Sequence, residues 1–174
     1  MKASCDAQAL SLMPDDIPLR RDVYPVVVVG DGNCLPRVGS ILAFGSEERH
    51  AEIRKRIAIE LKNHEATYLS DEHLTSGSNK KLTKSMMAHF SEEYCGRPMA
   101  PDEVQRIYRA EIESITKPAS YMGLWQMFAL SSVLNRCIYS VYPNLGNPNV
   151  RNDMNRLILP RQGANLQKPP AFIM

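Results

Sequence analysis

The chain has 174 residues, 44% of them apolar and 23% charged, with a formal net charge of +2. That length suits one domain with a real core, and the composition excludes disordered and fibrous classes. Basic and acidic residues are interspersed, so charge offers no argument for a nucleic-acid or membrane-surface partner, and Arg54-Lys55-Arg56 and Lys80-Lys81 read as solvated faces.

Residues 1 to 22 are polar, hold two prolines and read as a loose lead-in to a domain over 23 to 174. Pro25-Val26-Val27-Val28-Val29 is β-branched and ends at Gly30, so it predicts a short buried strand. Gly30-Asp31-Gly32-Asn33 predicts a tight turn. A helix follows from Cys34 or Leu35, with Pro36 in its first turn, where a missing N–H costs nothing. Leu35, Val38, Ile41 and Leu42 recur at helical spacing, and Gly45 ends the run. Ser46 is placed to cap the next helix, Glu47 and Glu48 suit its positive end, and Ile53, Ile57 and Leu61 form its apolar stripe.

Thr75 to Lys81 reads as a loop. Leu82, Met86 and Phe90 space out another helix, broken by Gly96 and Pro98. Pro101, Asp102 and Glu103 open a further one, with Val104, Ile107, Tyr108, Ile112 and Ile115 inward and Lys117-Pro118 as the stop. Leu124 to Leu134 is strongly apolar and contains Trp125, the one tryptophan. Cys137–Tyr142, Arg156–Pro160 and Ala171–Met174 predict strands, with loop between the first two. One strand, several helices and then strands predict an α/β (α+β) fold, a small central sheet packed by helices.

No segment is apolar for long enough to span a bilayer, and Asp6, Asp15 and Asp16 interrupt the apolar core a signal peptide needs, which points to an intracellular protein. Cys5, Cys34, Cys95 and Cys137 are then expected reduced. No C-x-x-C pair occurs, and His50, His64, His73 and His89 are scattered, so no metal site and no cofactor is expected.

Cys34 carries the chemical interest. At a helix N-terminus the free N–H groups and the helix dipole favour a thiolate, and the same N–H groups suit a developing oxyanion. The bland alternative is a buried cysteine acting as a small hydrophobe. A dinucleotide site is the third reading of Gly30-x-Gly32. It is the weakest of the three, because position 35, where the third glycine belongs, is leucine and no P-loop lysine follows; a phosphate-binding test would expose it.

Asp31-Gly32-Asn33-Cys34-Leu35, followed by Pro36, Arg37 and Ser40 and then by His50, Ile53 and Arg54, resembles the signature of the ovarian-tumour (OTU) family of cysteine peptidases, mostly deubiquitinases. Tyr121 to Pro143 is similar to the segment where that family's glycine-led helix feeds a strand. The Cys-Leu-Pro-Arg variant is similar to the OTU-like segment of vertnin-like animal proteins; Pro36 stands where the wider family has an aromatic.

The resemblance implies Cys34 as nucleophile, with Asp31 orienting catalytic groups or shaping the loop. It implies an oxyanion hole from the amides of Gly32, Asn33 and Cys34, and ubiquitin or polyubiquitin as partner. His50 is implied to be a structural helix residue. A cysteine peptidase also needs a histidine base, which the family carries after its last core strands, and no histidine follows His89 here. Two expectations follow: a chain truncated at an unfinished apolar strand, so that the base lies beyond Met174, or an inactive OTU-like module that binds ubiquitin or another protein.

Overall fold

The computed structural model describes residues 4–165 and 167–174. Its described elements are, in chain order, helices α1 (Ala7–Leu12), α2 (Cys34–Phe44), α3 (His50–Asn63), α4 (Glu65–Tyr68), α5 (Asp71–Thr75), α6 (Lys84–His89), α7 (Pro101–Ser114) and α8 (Leu124–Leu134), strand β1 (Ile138–Ser140), helix α9 (Pro148–Met154), and strands β2 (Arg156–Ile158) and β3 (Ala171–Ile173). None of these helices is long and apolar enough to cross a membrane.

Helix α3 is the centre of the packing. Ile53, Ile57 and Leu61, at helical spacing, are fully buried against α2 and α8, where Trp125, Phe128, Ala129 and Leu130 are also buried. Each of the isoleucine, leucine and phenylalanine side chains contributes about 1.5–3 kcal/mol by leaving water. Gly39 makes the close approach of α2 possible: a Cβ there would stand 2.7 Å from Leu130 Cδ1 and 2.8 Å from Ile53 Cγ2. Two large aromatic side chains of the core have their polar atoms paired. Trp125 Nε1 donates to the Tyr68 carbonyl at 3.0 Å, and the Tyr108 hydroxyl donates to the Leu61 carbonyl at 2.8 Å.

The sheet order is β2-β1-β3, with β1 antiparallel to β2 and parallel to β3. Ile138 aligns with Ile158 and Ala171, all buried on the helical side. Tyr139 aligns with Leu157 and Phe172 on the other face. Tyr139 and Phe172 pack with Val23 against Met13, Ile17 and Val141, so the N-terminal segment covers that face.

Several expectations change here. The valine run is not a buried strand: Val26, Val27 and Val29 are 41%, 51% and 52% exposed, and its one described pairing is an isolated bridge between Cys5 and Val26. A β-branched run becomes a sheet strand only when a partner lies alongside, and the three sheet strands pair with one another instead. Residues 1 to 3 of the expected lead-in lie outside the described residues; within 4 to 22, Asp6 caps α1 by accepting the Ala9 N–H at 2.9 Å, and Met13 and Ile17 are buried. Ser46 does not cap α3, which starts four residues later at His50; its carbonyl instead accepts the Ser40 hydroxyl at 2.6 Å. The helix through Leu82 and Phe90 is only α6. The stretch between β1 and β2 holds α9, opened by Pro148 and capped by Asn147, whose side chain takes the Asn149 N–H. Helices α2, α7 and α8 and the three strands lie where the sequence places them.

Candidate functional site

Cys34 is the first residue of α2, and its side chain is exposed, unlike that of Cys137. The amides of Cys34 and Leu35 precede the first intrahelical bond, which runs from the Arg37 N–H to the Asn33 carbonyl at 2.9 Å. The far end of α2 is fixed by Ser40, fully buried, whose hydroxyl donates to the Ser46 carbonyl and accepts the Arg49 N–H at 3.1 Å. That bond joins α2 to the start of α3 and sets the direction in which the thiol end points.

The turn before Cys34 is tightly held. Asp31 accepts the Asn33 N–H at 3.0 Å and forms a two-pronged pair with Arg37, at 3.2 Å from Nε and 2.7 Å from Nη2; Arg37 also reaches Glu47 at 3.3 Å. The Arg37 hydrogen bonds, and after them the bond from Asn33, hold the Asp31 carboxyl well below the usual carboxylate range. Gly32 has φ +77°, and a Cβ on it would lie 2.0 Å from the Ala119 carbonyl oxygen. Of the three amides named from the sequence, that of Asn33 is therefore engaged within the loop. Those of Gly32 and Cys34 have no acceptor among the described residues.

Beneath this loop lies Arg54 of α3, only 5% exposed. Its Nη2 donates to the Gly32 carbonyl (3.0 Å), Asn33 Oδ1 (2.9 Å) and the Ser120 carbonyl (3.0 Å); its Nη1 donates to the Ile115 carbonyl (3.0 Å) and the Ser120 hydroxyl (2.8 Å). Asn33 Oδ1 also accepts the Ala119 N–H at 3.2 Å. Burial pushes the Arg54 guanidinium down from its ordinary value, though a guanidinium stays charged. Sequence reading placed Arg54 in a surface charge run and, by resemblance, in the OTU signature. The signal against a surface run was its spacing one residue after Ile53, which puts it at the edge of the buried stripe. Ser120 and Ala119 carry no sequence signal of their own.

The four histidines lie elsewhere, and none hydrogen-bonds Cys34 Sγ among the described residues. His50 opens α3 with Nδ1 2.9 Å from the Glu47 carbonyl oxygen. His64 is 3.7 Å from Glu60, and His89 Nδ1 is 2.8 Å from the Ser85 carbonyl oxygen. His73 is wedged edge-on between Tyr68 and Phe128. Among the described residues no three His, Cys, Asp or Glu side chains converge on a point where a metal ion could sit.

The family model described as the OTU domain of vertnin matches residues 25–174, and it makes the fold an OTU-like α/β domain. The chain belongs to the vertnin OTU-domain family. It is 33% identical to human vertnin over 157 residues, covering 90% of this chain and 22% of the human protein. To zebrafish vertnin it is 31% identical over 156 residues, again 90% of this chain and 22% of the relative. The chain thus spans about a fifth of the length of the curated relatives it matches. Among solved structures, it is similar to the OTU domain of OTUD1 (TM-score 0.43, 20% identity, 75% of this chain and 62% of that one). It is also similar to the viral OTU domain protease from Farallon virus (TM-score 0.42, 22% identity, 64% and 57%).

Proposed function

We propose that this domain is the nucleophile-bearing part of an OTU-type deubiquitinase, with Cys34 as the attacking thiol. The observation that supports it is an exposed thiol on the first residue of a helix, beside two uncommitted amides, on a loop held from below by a buried arginine. In the reaction, Cys34 Sγ gives its proton to solvent and bonds to the carbonyl carbon of ubiquitin's C-terminal glycine, the amides of Gly32 and Cys34 receive the oxyanion, and the isopeptide C–N bond breaks as the leaving lysine amine takes a proton from solvent. Water then cleaves the thioester. Asp31, occupied by Arg37 and the Asn33 amide, shapes the loop rather than moving a proton. The partner is ubiquitin or polyubiquitin and the setting intracellular.

A second reading, an inactive module that binds ubiquitin, is favoured by one observation: among the described residues no histidine hydrogen-bonds Cys34. General-base catalysis is worth roughly 10²–10⁴-fold, so on either reading the 174-residue chain turns over a ubiquitin substrate very slowly. The two separate with a ubiquitin carrying a C-terminal alkyne electrophile. A covalent adduct on Cys34, absent in Cys34→Ala, supports the nucleophile. Binding of ubiquitin with no adduct supports the inactive module. Neither adduct nor binding removes ubiquitin as the partner.

A further inference from the structure

We propose that Arg54 is a positioning residue: its guanidinium locks the nucleophile loop onto the 115–120 turn and, through the Asn33 side chain, sets the orientation of Cys34. The proposal rests on reading Cys34 as the nucleophile.

Arg54 is buried yet has no carboxylate within ion-pair reach among the described residues. The carboxylate whose charge acts on it, Asp31, is committed to Arg37. A buried guanidinium facing only neutral acceptors is a costly way to fill a core, so packing alone gives a poor account of it. What it does make is a five-bond junction. Two bonds end on the nucleophile loop (the Gly32 carbonyl and Asn33 Oδ1), and three end on the turn (the Ile115 carbonyl, the Ser120 carbonyl and the Ser120 hydroxyl). None ends on its own helix. The two segments touch directly as well: Ala119 donates to Asn33 Oδ1 and presses against the Cα of Gly32. Both touching residues hold positive φ, +61° at Ala119 and +77° at Gly32, and Ala119 is not a glycine. A non-glycine held in that region needs surrounding contacts that dictate it, and the Arg54 junction supplies them.

Asn33 links the junction to the thiol. It is the residue immediately before Cys34, it is buried, and its carbonyl accepts the first bond of α2. Its side-chain oxygen is held from two directions, by Arg54 and by Ala119, which fixes its rotation. Releasing that oxygen lets the 33–34 peptide turn, and with it the Cys34 side chain and the amide beside it. The planar fork is the required shape. A lysine ammonium retains the charge but has only three donors on one nitrogen and cannot span both segments.

The test uses the 174-residue chain and chloroacetamide as a small alkylator, reading Cys34 against exposed Cys95 of the same molecule by mass spectrometry over a range of pH, with thermal unfolding as the folding check. Arg54→Lys and Asn33→Ala should each slow Cys34 relative to Cys95 by about tenfold, the worth of one hydrogen bond to a charged group. Each should also displace the pH profile of Cys34 alone, and the double variant should be no slower than either single one. An unchanged Cys34-to-Cys95 ratio in folded Arg54→Lys overturns the proposal, as do effects that multiply in the double variant. If Arg54→Lys does not fold, Asn33→Ala, which keeps the remaining Arg54 bonds, decides: an unchanged ratio there overturns it. Chloroacetamide is not a ubiquitin, so failure of ubiquitin as partner leaves this result untouched.

Discussion

Three glycines around the candidate site separate two physical costs. Gly30 has open space around its Cα, Gly45 has φ +76° and open space, and Gly32 has φ +77° with the Ala119 carbonyl oxygen 2.0 Å from where a Cβ would stand. Alanine at Gly30 should change stability by less than about 0.5 kcal/mol, as at most surface positions. Alanine at Gly45, the left-handed cap of α2, should cost about 1 kcal/mol, the conformational penalty alone. At Gly32 the same penalty applies and a clash is added. Ordinary contact begins at 3.4 Å, and the obstructing atoms, at 2.0, 2.7 and 3.1 Å, are all backbone that no rotamer change can clear. The turn must retreat, which stretches the 3.2 Å Ala119–Asn33 bond and the 3.0 Å Arg54–Ser120 bond out of reach. At about 1 kcal/mol each, these bring the total to about 3 kcal/mol. In a chain of this size that lowers the melting temperature by about 10 °C, against about 3 °C for Gly45→Ala and no measurable change for Gly30→Ala. Thermal unfolding followed by circular dichroism reads the series. If Gly32→Ala melts with Gly45→Ala, the close contact between the nucleophile loop and the 115–120 turn is wrong.

Two further outcomes concern titration. Burial holds the His73 imidazole below its ordinary value, so the unfolded chain binds a proton that the native state refuses. Its contribution is full above the unfolded value of about 6.5 and is lost as pH falls through the native one. Urea midpoints measured from pH 7.5 to 5 should therefore drop more in the native protein than in His73→Phe; equal slopes would remove His73 from the acid response. For Asp31, whose carboxyl Arg37 holds well below the usual range, carbon-detected NMR should show no titration down to about pH 3, and Arg37→Gln should raise it toward the free value of about 3.9, with the Asn33 hydrogen bonds keeping it below that. An ordinary titration in the native protein would mean that the Asp31–Arg37 pair does not form in solution.

The sequence by itself determined the elements whose hydrogen bonds are local. Ile53, Ile57 and Leu61 mark α3, Val104, Ile107 and Tyr108 mark α7, and Leu124 to Leu134 is α8 from end to end, because a helix satisfies its own backbone and shows its buried stripe as a period. Cys34 at a helix start was legible for the same reason: Gly32 and Gly45 bracket α2 with the residues its two ends require. The valine run shows the limit. Its residues suit a strand, but a strand is completed by a neighbour, and here only the Cys5–Val26 bridge pairs with it. Capping by Asp6 and Asn147 was local and could have been read, yet α1 and α9 are each under two full turns, too short for an apolar stripe to show. The cradle of the site was decided only by tertiary structure. Arg54 meets Asn33 across 21 residues and Ser120 across 66, and Asn33 meets Ala119 across 86. The period of α3 puts Arg54 at the edge of the buried stripe, but it does not name the five acceptors that two distant loops bring over it.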